Sequence, residues 1–215
     1  MLRVDFHCHT RYSKDSLTTP EKLLEACKRK GLDRVVITDH NTIAGALHAQ
    51  KLNPQCVIVG EEVMTLEGEL LAAFVTEEVP RGLSPEETIA RLRAQGAFIS
   101  VSHPFDEMRS GHWHPEALLR ILPLIDAIEI FNARCMLKEH NIQAQAFARE
   151  HNLPGTAGSD AHAAFELGRA TLLLPEFHDT ASLISSLPHA ELRASLSSPW
   201  VHFASVYTKL KKRIV

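Results

Sequence analysis

Residues 2–9 read Leu-Arg-Val-Asp-Phe-His-Cys-His. The apolar, β-branched opening predicts a strand over 2–6, which closes on Asp5-Phe6-His7-Cys8-His9, a polar group with metal-ligand chemistry. The same pattern repeats down the chain. Strand-like runs at 34–38, 56–60, 70–75, 97–102, 126–131, 154–157 and 169–174 are short and mostly non-alternating, as in strands buried on both faces. Helical patterns fall between most of them. At 20–30, Pro20 opens a helix, Leu23, Leu24 and Cys27 mark its apolar face, and Gly31 ends it. At 84–95, Ser84 is the N-cap, Pro85 takes the first helical position, Glu87 completes a capping box, and Thr88, Ile89 and Leu92 face inward. Segments 115–122, 136–151 and 179–187 read similarly. No helix fits between the runs at 56–60 and 70–75, which are expected to pair as a hairpin.

Strand alternating with helix predicts a parallel α/β fold. An eight-fold barrel usually takes about 250 residues. A chain of 215 therefore predicts a compact, distorted, TIM-like barrel of about seven strands. A doubly wound open sheet is the alternative, but neither GxGxxG nor a phosphate-cradling GxxxxGK motif is present. No repeat, low-complexity tract or linker divides the chain, so 1–215 reads as one domain.

In a parallel barrel the C-terminal strand ends share the face that carries the active site. Here those ends are Thr38-Asp39-His40-Asn41, Gly60-Glu61-Glu62, Ser102-His103-Pro104, Glu129-Ile130-Phe131-Asn132 and Gly158-Ser159-Asp160-Ala161-His162, besides the first. Alternate residues of an extended segment point the same way, so His7 and His9 can reach one ion, and Asp160 and His162 repeat that geometry. Asp15, His40, Glu62 and His103 add donors. The set exceeds what one tetrahedral zinc needs and suits two or three divalent ions sharing a carboxylate, with Mn, Fe and Zn all compatible. Such clusters serve phosphoryl hydrolysis by activating water and stabilising the attacking and leaving oxygens.

The segments DFHCHTRYSKDS (5–16), ITDHNT (37–42), GEEV (60–63), SHPF (102–105), IEIFNAR (128–134) and GSDAH (158–162) make the chain resemble the PHP (polymerase and histidinol phosphatase) family of metal-dependent phosphoesterases. The resemblance implies a distorted (βα)7 barrel with up to three ions at the C-terminal strand ends. It implies His7, His9, Glu62 and Asp160 for the first ion, Asp15, His40 and His162 for the second, and Glu62 with His103 for the third. One position departs. Many members carry a histidine just before the apolar run that follows the bridging glutamate; here the segment is Glu67-Gly68-Glu69-Leu70-Leu71. Glu69 is therefore expected as a carboxylate ligand of an altered third site.

The expected reaction is attack of a metal-activated hydroxide on phosphorus, with Asp160 and His162 moving the proton. Arg134 and Arg11 are expected to hold phosphate oxygens, with Lys14 and Arg109 ranked below them, and Asn132 to line the site through hydrogen bonds. Asp5 and Asp39 are expected to orient imidazoles, and Glu61 to be structural or exposed. The loop 104–115, with His112-Trp113-His114, is expected to set substrate choice. The expected partner is a small phosphorylated substrate of the nucleotide or sugar-phosphate type, not a long nucleic acid. The rivals are a metal-dependent amidohydrolase, since His-x-His also opens that barrel family, and a non-catalytic metal-stabilised module.

Composition agrees. Hydrophobic residues make up 45% and charged residues 23%, and no apolar run reaches the length of a membrane span. With no leader-like N-terminus, a cytoplasmic location is expected, where Cys8, Cys27, Cys56 and Cys135 are reduced thiols. Of 13 histidines, positions 7, 9, 40, 103 and 162 fall at strand ends, 112 and 114 in the loop, and six, His140 among them, are ordinary. The net charge of −3 divides into +5 after Glu191 and −8 over the rest of the chain. The basic, amphipathic segment 200–215 is expected to close the barrel bottom.

Overall fold

The computed structural model describes residues 1–201 together with Thr208 and Lys212. Its strands are β1 (Leu2–Cys8), β2 (Arg34–Ile37), β3 (Val57–Met64), β4 (Glu69–Ala73), β5 (Phe98–Val101), β6 (Ala127–Asn132), β7 (Gly155–Gly158), β8 (Ala170–Leu174) and β9 (Glu191–Ala194). The helices are α1 (Pro20–Lys30), α2 (Ala44–Leu52), α3 (Pro85–Ala94), α4 (Pro115–Ile121), α5 (Lys138–Glu150) and α6 (Thr180–Ser186). All strands join one sheet in the order β7-β6-β5-β4-β3-β2-β1-β8-β9. Pairs β1–β2, β2–β3, β5–β6 and β6–β7 are parallel. The hairpin expected between β3 and β4 is present, and β4 also runs antiparallel to β5.

The sheet nearly closes into a barrel. Beyond β7 the chain turns back onto β1: Asp160 N donates to His7 O (2.7 Å) and His9 N to Ala161 O (2.9 Å). The sheet holds nine strands among the described residues, against an expected count of about seven. Strands β8 and β9 extend the sheet past β1, both antiparallel. Strand β9 left no apolar run because all four of its residues are exposed. Helix α2 was also not predicted: it lacks a side-chain cap and buries only Gly45, Ala46 and Ala49.

Local signals explain the starts of three helices. Thr19 caps α1 by accepting from Lys22 N, Pro20 follows it, and Gly31 ends the helix at φ 64. Ser84 caps α3 by accepting from Glu87 N, but the capping box is not completed. The Glu87 carboxylate pairs with Arg91 one turn on (2.8 Å). The reciprocal box appears instead at Asp179 and Ser182 of α6.

Two apolar layers hold the barrel. One, between sheet and helices, contains Leu23, Val35, Val57, Ile89, Leu92, Leu118 and Ile128. The other fills the interior with Val4, Phe6, Val36, Ile58, Ala73, Phe98 and Leu172. Each fully buried side chain of this size contributes roughly 1.5–3 kcal/mol. On β1 the two layers expose a parity change. Phe6 belongs to the interior, yet Cys8, two residues on, packs in the outer layer. The register irregularity between Asp5 and Cys8 is where the alternation switches.

The segment 200–215 lies outside the described residues apart from Trp200, Val201, Thr208 and Lys212. Lys212 Nζ donates to the carbonyl oxygens of Arg11 and Ser13, 2.6 Å each, in the loop after β1. That loop also carries Asp15, so this contact lies at the C-terminal strand ends and not at the barrel bottom.

Candidate metal centre

The bulge on β1 lets His7 and His9 share the barrel interior with Phe6. On β3 strict alternation sends Ile58 inward and Val57 and Val59 outward, so Glu62 faces the site and Glu61 faces away. Strand β4 is antiparallel and delivers its first residue, Glu69, to the same end. His103 and Asp160 follow β5 and β7 with left-handed backbones, φ 22 and φ 51. Such conformations cluster where a site imposes them.

The result is one buried constellation. Glu62 Oε2 lies 3.0 Å from His40 Nδ1, 3.3 Å from His7 Nε2 and 3.4 Å from His9 Nε2, without a well-formed hydrogen bond to any of them. Glu62 Oε1 faces His103 Nε2 at 3.2 Å and accepts from Ser102 Oγ at 2.8 Å. Asp160 Oδ1 lies 3.2 Å from His9 Nε2, and Asp15 Oδ1 lies 3.3 Å from His162 Nε2. Glu69 reaches His103 Nε2 at 3.5 Å and His40 Nδ1 at 3.7 Å. All nine expected ligands are thus brought together. Three overlapping groups have donor atoms within 4.8 Å of one another: His9, His40 and His162; His7, His9 and Glu62; His40, Glu62 and Glu69.

Surrounding hydrogen bonds fix which imidazole nitrogen faces the centre. His7 Nδ1–H donates to Glu129 Oε1 (3.0 Å), because a carboxylate only accepts. Ser13 Oγ spends its one proton on Asp39 Oδ1 (2.6 Å), so it accepts from His9 Nδ1–H (3.2 Å). His162 Nδ1–H donates to the carbonyl of Asp160 (2.8 Å). In all three, Nε2 is the nitrogen turned to the cluster. Asp39 therefore orients an imidazole through Ser13. Asp5 differs from expectation: it accepts from the backbone N–H groups of His7, Ser159 and Gly168 and pins the chain rather than a ring.

Residues 5–96 match the PHP domain model, and residues 138–191 the PHP-associated model. The uncharacterized proteins MJ1587 and MJ0417 of Methanocaldococcus jannaschii are similar to it. The first is 38% identical over 146 residues, 61% of this chain and 82% of that protein; the second is 36% identical over 181 residues, 82% and 72%. The chain belongs to the PHP family. Its fold is shared with PsfC from Pseudomonas syringae PB-5123 (TM-score 0.68, 20% identity, 98% of this chain and 100% of that one). It is shared too with a protein from Bifidobacterium adolescentis to which metal-dependent phosphoesterase activity is only provisionally ascribed (0.62, 19%, 75% and 88%). An amidohydrolase from Chromobacterium violaceum is similar as well (0.65, 14%, 87% and 97%).

The donor chemistry of this PHP domain fits divalent cations. Five carboxylates, Asp15, Glu62, Glu69, Glu129 and Asp160, are buried around the imidazoles, with Arg109 as the guanidinium paired into them. Burial opposes ionisation of Glu62, yet the His7 and His40 rings hold its carboxyl well below the usual range. Burial and the neighbouring rings of His162 and His40 lower His9 to about 4, so the ring is neutral at pH 7, the form a metal ion needs. Burial and the Glu62 charge raise Glu69, the pattern of a carboxylate crowded by another. Cations placed among these groups relieve that crowding.

The substrate-side residues fall out differently from expectation. Asn132 is buried behind the cluster, where Nδ2 donates to Glu129 Oε2 (3.1 Å) and Asp160 Oδ2 (3.2 Å). It positions carboxylates. Arg134 is buried, donating to Val201 O (3.1 Å) and facing Glu166 Oε2 at 3.5 Å. Arg11 stays exposed, 5.8 Å from the Tyr12 ring centroid. Arg109, ranked below them from sequence, reaches furthest in: Nη1 lies 2.6 Å from Asp160 Oδ2. Within the 104–115 loop Trp113 is buried and donates to Glu69 O (3.0 Å), which anchors the loop over β4. Glu129, on β6, takes its roles only in space, accepting from His7 Nδ1–H, His103 N–H and Asn132 Nδ2. A cleft of about 980 Å³ bounded by Leu2, Asp33, Arg34, Val57 and Thr76 opens at the opposite end of the strands, away from this chemistry.

Glu61 is fully buried, not exposed. Oε2 accepts from Val79 N (3.0 Å), while Oε1 has no hydrogen-bond partner among the described residues. Burial raises its carboxyl to about 7, helped by Glu78. The folded state then binds this proton more tightly than the unfolded state, so stability falls as pH rises from about 4.5 through 7. Glu61→Gln keeps the acceptor and removes the charge. It is expected to be more stable than the parent above pH 7, by roughly 3 kcal/mol at 1.36 kcal/mol per pKa unit, and equal to it near pH 4. Urea unfolding at the two pH values checks this; an equal difference at both would refute the assignment.

Proposed function

We propose that this PHP protein is a phosphoesterase that hydrolyses small phosphate esters, of the nucleotide or sugar-phosphate type, with two or three divalent ions of the Mn, Fe or Zn class. The observation that carries the reading is Glu62. One oxygen approaches three imidazoles at 3.0–3.4 Å while the other faces His103 at 3.2 Å, the placement of a carboxylate shared between ions. His7, His9, Glu62 and Asp160 would hold the first ion, Asp15, His40 and His162 the second, and Glu62, His103 and Glu69 the third. When bound, the ions supply activated water and neutralise charge on the phosphoryl group.

The chain's own residues do the rest. Asp160 Oδ2 is held by Arg109 and Asn132, which leaves Oδ1 directed at the His9 ring. Asp160 and His162 are the groups placed to take the proton of the attacking water. Arg109 presents a guanidinium at the rim, suited to non-bridging phosphate oxygens; Arg134 lies further back and Arg11 further out. Burial of the cluster, with His7, His9 and His103 nearly inaccessible, favours a terminal phosphate on a small molecule over the backbone of a long polymer.

Metal analysis of the purified protein, with a panel of phosphomonoesters and phosphodiesters, tests the reading. Two or more ions per chain with turnover on one of the panel are expected. A metal-free protein of unchanged thermal stability, inert on the panel after Mn, Fe or Zn is added, overturns it. Arg109→Ala is expected to lower kcat/KM by about 10²-fold, in the range of lost charge-stabilising donors, while metal content is retained.

A further inference from the structure

Three side chains outside this centre come together between the 104–115 loop and the start of α5. We propose that Asp106, Cys135 and His140 form a separate site for one zinc-class divalent cation. Their donor atoms all lie within 4.8 Å of one another, and Asp106 and Cys135 are buried. His140 Nδ1 is buried, has no hydrogen-bond partner among the described residues, and lies 3.3 Å from Asp106 Oδ1. Two donors at zinc bond lengths of about 2.0–2.1 Å in a tetrahedral arrangement stand about 3.3 Å apart. The spacing is that of co-ligands.

The neighbours agree with this reading. Arg109 Nε takes Asp106 Oδ2 at 3.0 Å, which turns the other oxygen, Oδ1, toward His140. Cys135 ends the turn after β6, with N–H on Asn132 O (3.3 Å), and His140 lies in the first turn of α5. The two are thus held by rigid elements, and the loop supplies the third donor. A thiolate with an imidazole and a carboxylate selects zinc over harder ions such as Mn(II). Binding transfers the Cys135 thiol proton to solvent, and three protein ligands leave a fourth position for water. The ion would clamp the loop that carries Arg109, whose Nη1 lies on Asp160.

Sulfur makes the test specific. The main centre holds only nitrogen and oxygen donors, and Cys8, flanked by His7 and His9, directs Sγ to Val36 O (3.5 Å). The full-length protein is stripped with chelator and loaded with Co(II). A sulfur-to-cobalt charge-transfer absorption is expected in the parent and in Cys27→Ser, and is expected to vanish in Cys135→Ser with loss of one metal equivalent. His140→Gln, which keeps every thiol, should lose the same equivalent, and circular dichroism verifies that both variants are folded. A parent protein without the band overturns the site before any variant is made. So does a band that survives Cys135→Ser. Neither readout uses turnover, so failure here is distinct from failure of the phosphoesterase reading.

Discussion

His9→Ala is expected to lose turnover by at least about 10³-fold, on the order of 4 kcal/mol at 1.36 kcal/mol per decade. His9 is the most central ring of the cluster. Its Nε2 lies 3.1 Å from His7 Nε2, 3.2 Å from Asp160 Oδ1 and 3.4 Å from Glu62 Oε2. It belongs to two of the three overlapping donor groups, so its removal weakens two adjacent positions together. Because His9 is held neutral by burial and by His162 and His40, its loss removes a ligand without stranding a charge. The chelator-treated variant is therefore expected to unfold at nearly the same temperature as the chelator-treated parent. The checks are kcat/KM on the best substrate of the panel, bound metal per chain, and melting in chelator. Retained turnover with full metal content would remove His9 from the centre.

Gly158→Ala is expected to destabilise the protein by about 3 kcal/mol, the upper part of the overpacking range, and to lower bound metal. A Cβ at Gly158 would stand 2.1 Å from His7 Cβ, 2.9 Å from Glu129 Oε1 and 2.9 Å from His7 N. Two of those atoms belong to the first strand and cannot turn aside as a flexible side chain would. The third is the carboxylate that sets the His7 tautomer. Here β7 must come close enough to β1 for Asp160 N to reach His7 O and close the barrel. Urea unfolding together with metal content measures the effect; a loss under about 1 kcal/mol with metal retained would show that the seam tolerates a methyl group.

Much of the centre was legible because the chemistry falls at strand ends. His7, His9, His40, His103, Asp160 and His162 each follow a short β-branched run, and a barrel gathers such ends on one face. Glu69 was legible only through a family pattern, and its arrival at the face depends on β4 being antiparallel. Arg109 was ranked low because a loop side chain has no periodicity to reveal where it points. His140 passed as ordinary because its partners, Asp106 and Cys135, are brought to it by β6 and the loop, not by spacing in sequence. The exposed strand β9 and the small-residue helix α2 carry too little apolar contrast to register.

By itself the sequence determined the alternation of strand and helix, the hairpin at β3 and β4, and the order of the ligand-bearing segments. These rest on local propensity and on what each strand buries, and both are written residue by residue. Only the tertiary structure decided the parity switch on β1, the ring orientations fixed by Glu129, Ser13 and Asp39, and the reach of Arg109 to Asp160 while Arg11 stays exposed and Arg134 turns to Glu166. Each of those depends on atoms distant in sequence competing for the same few ångströms of buried space.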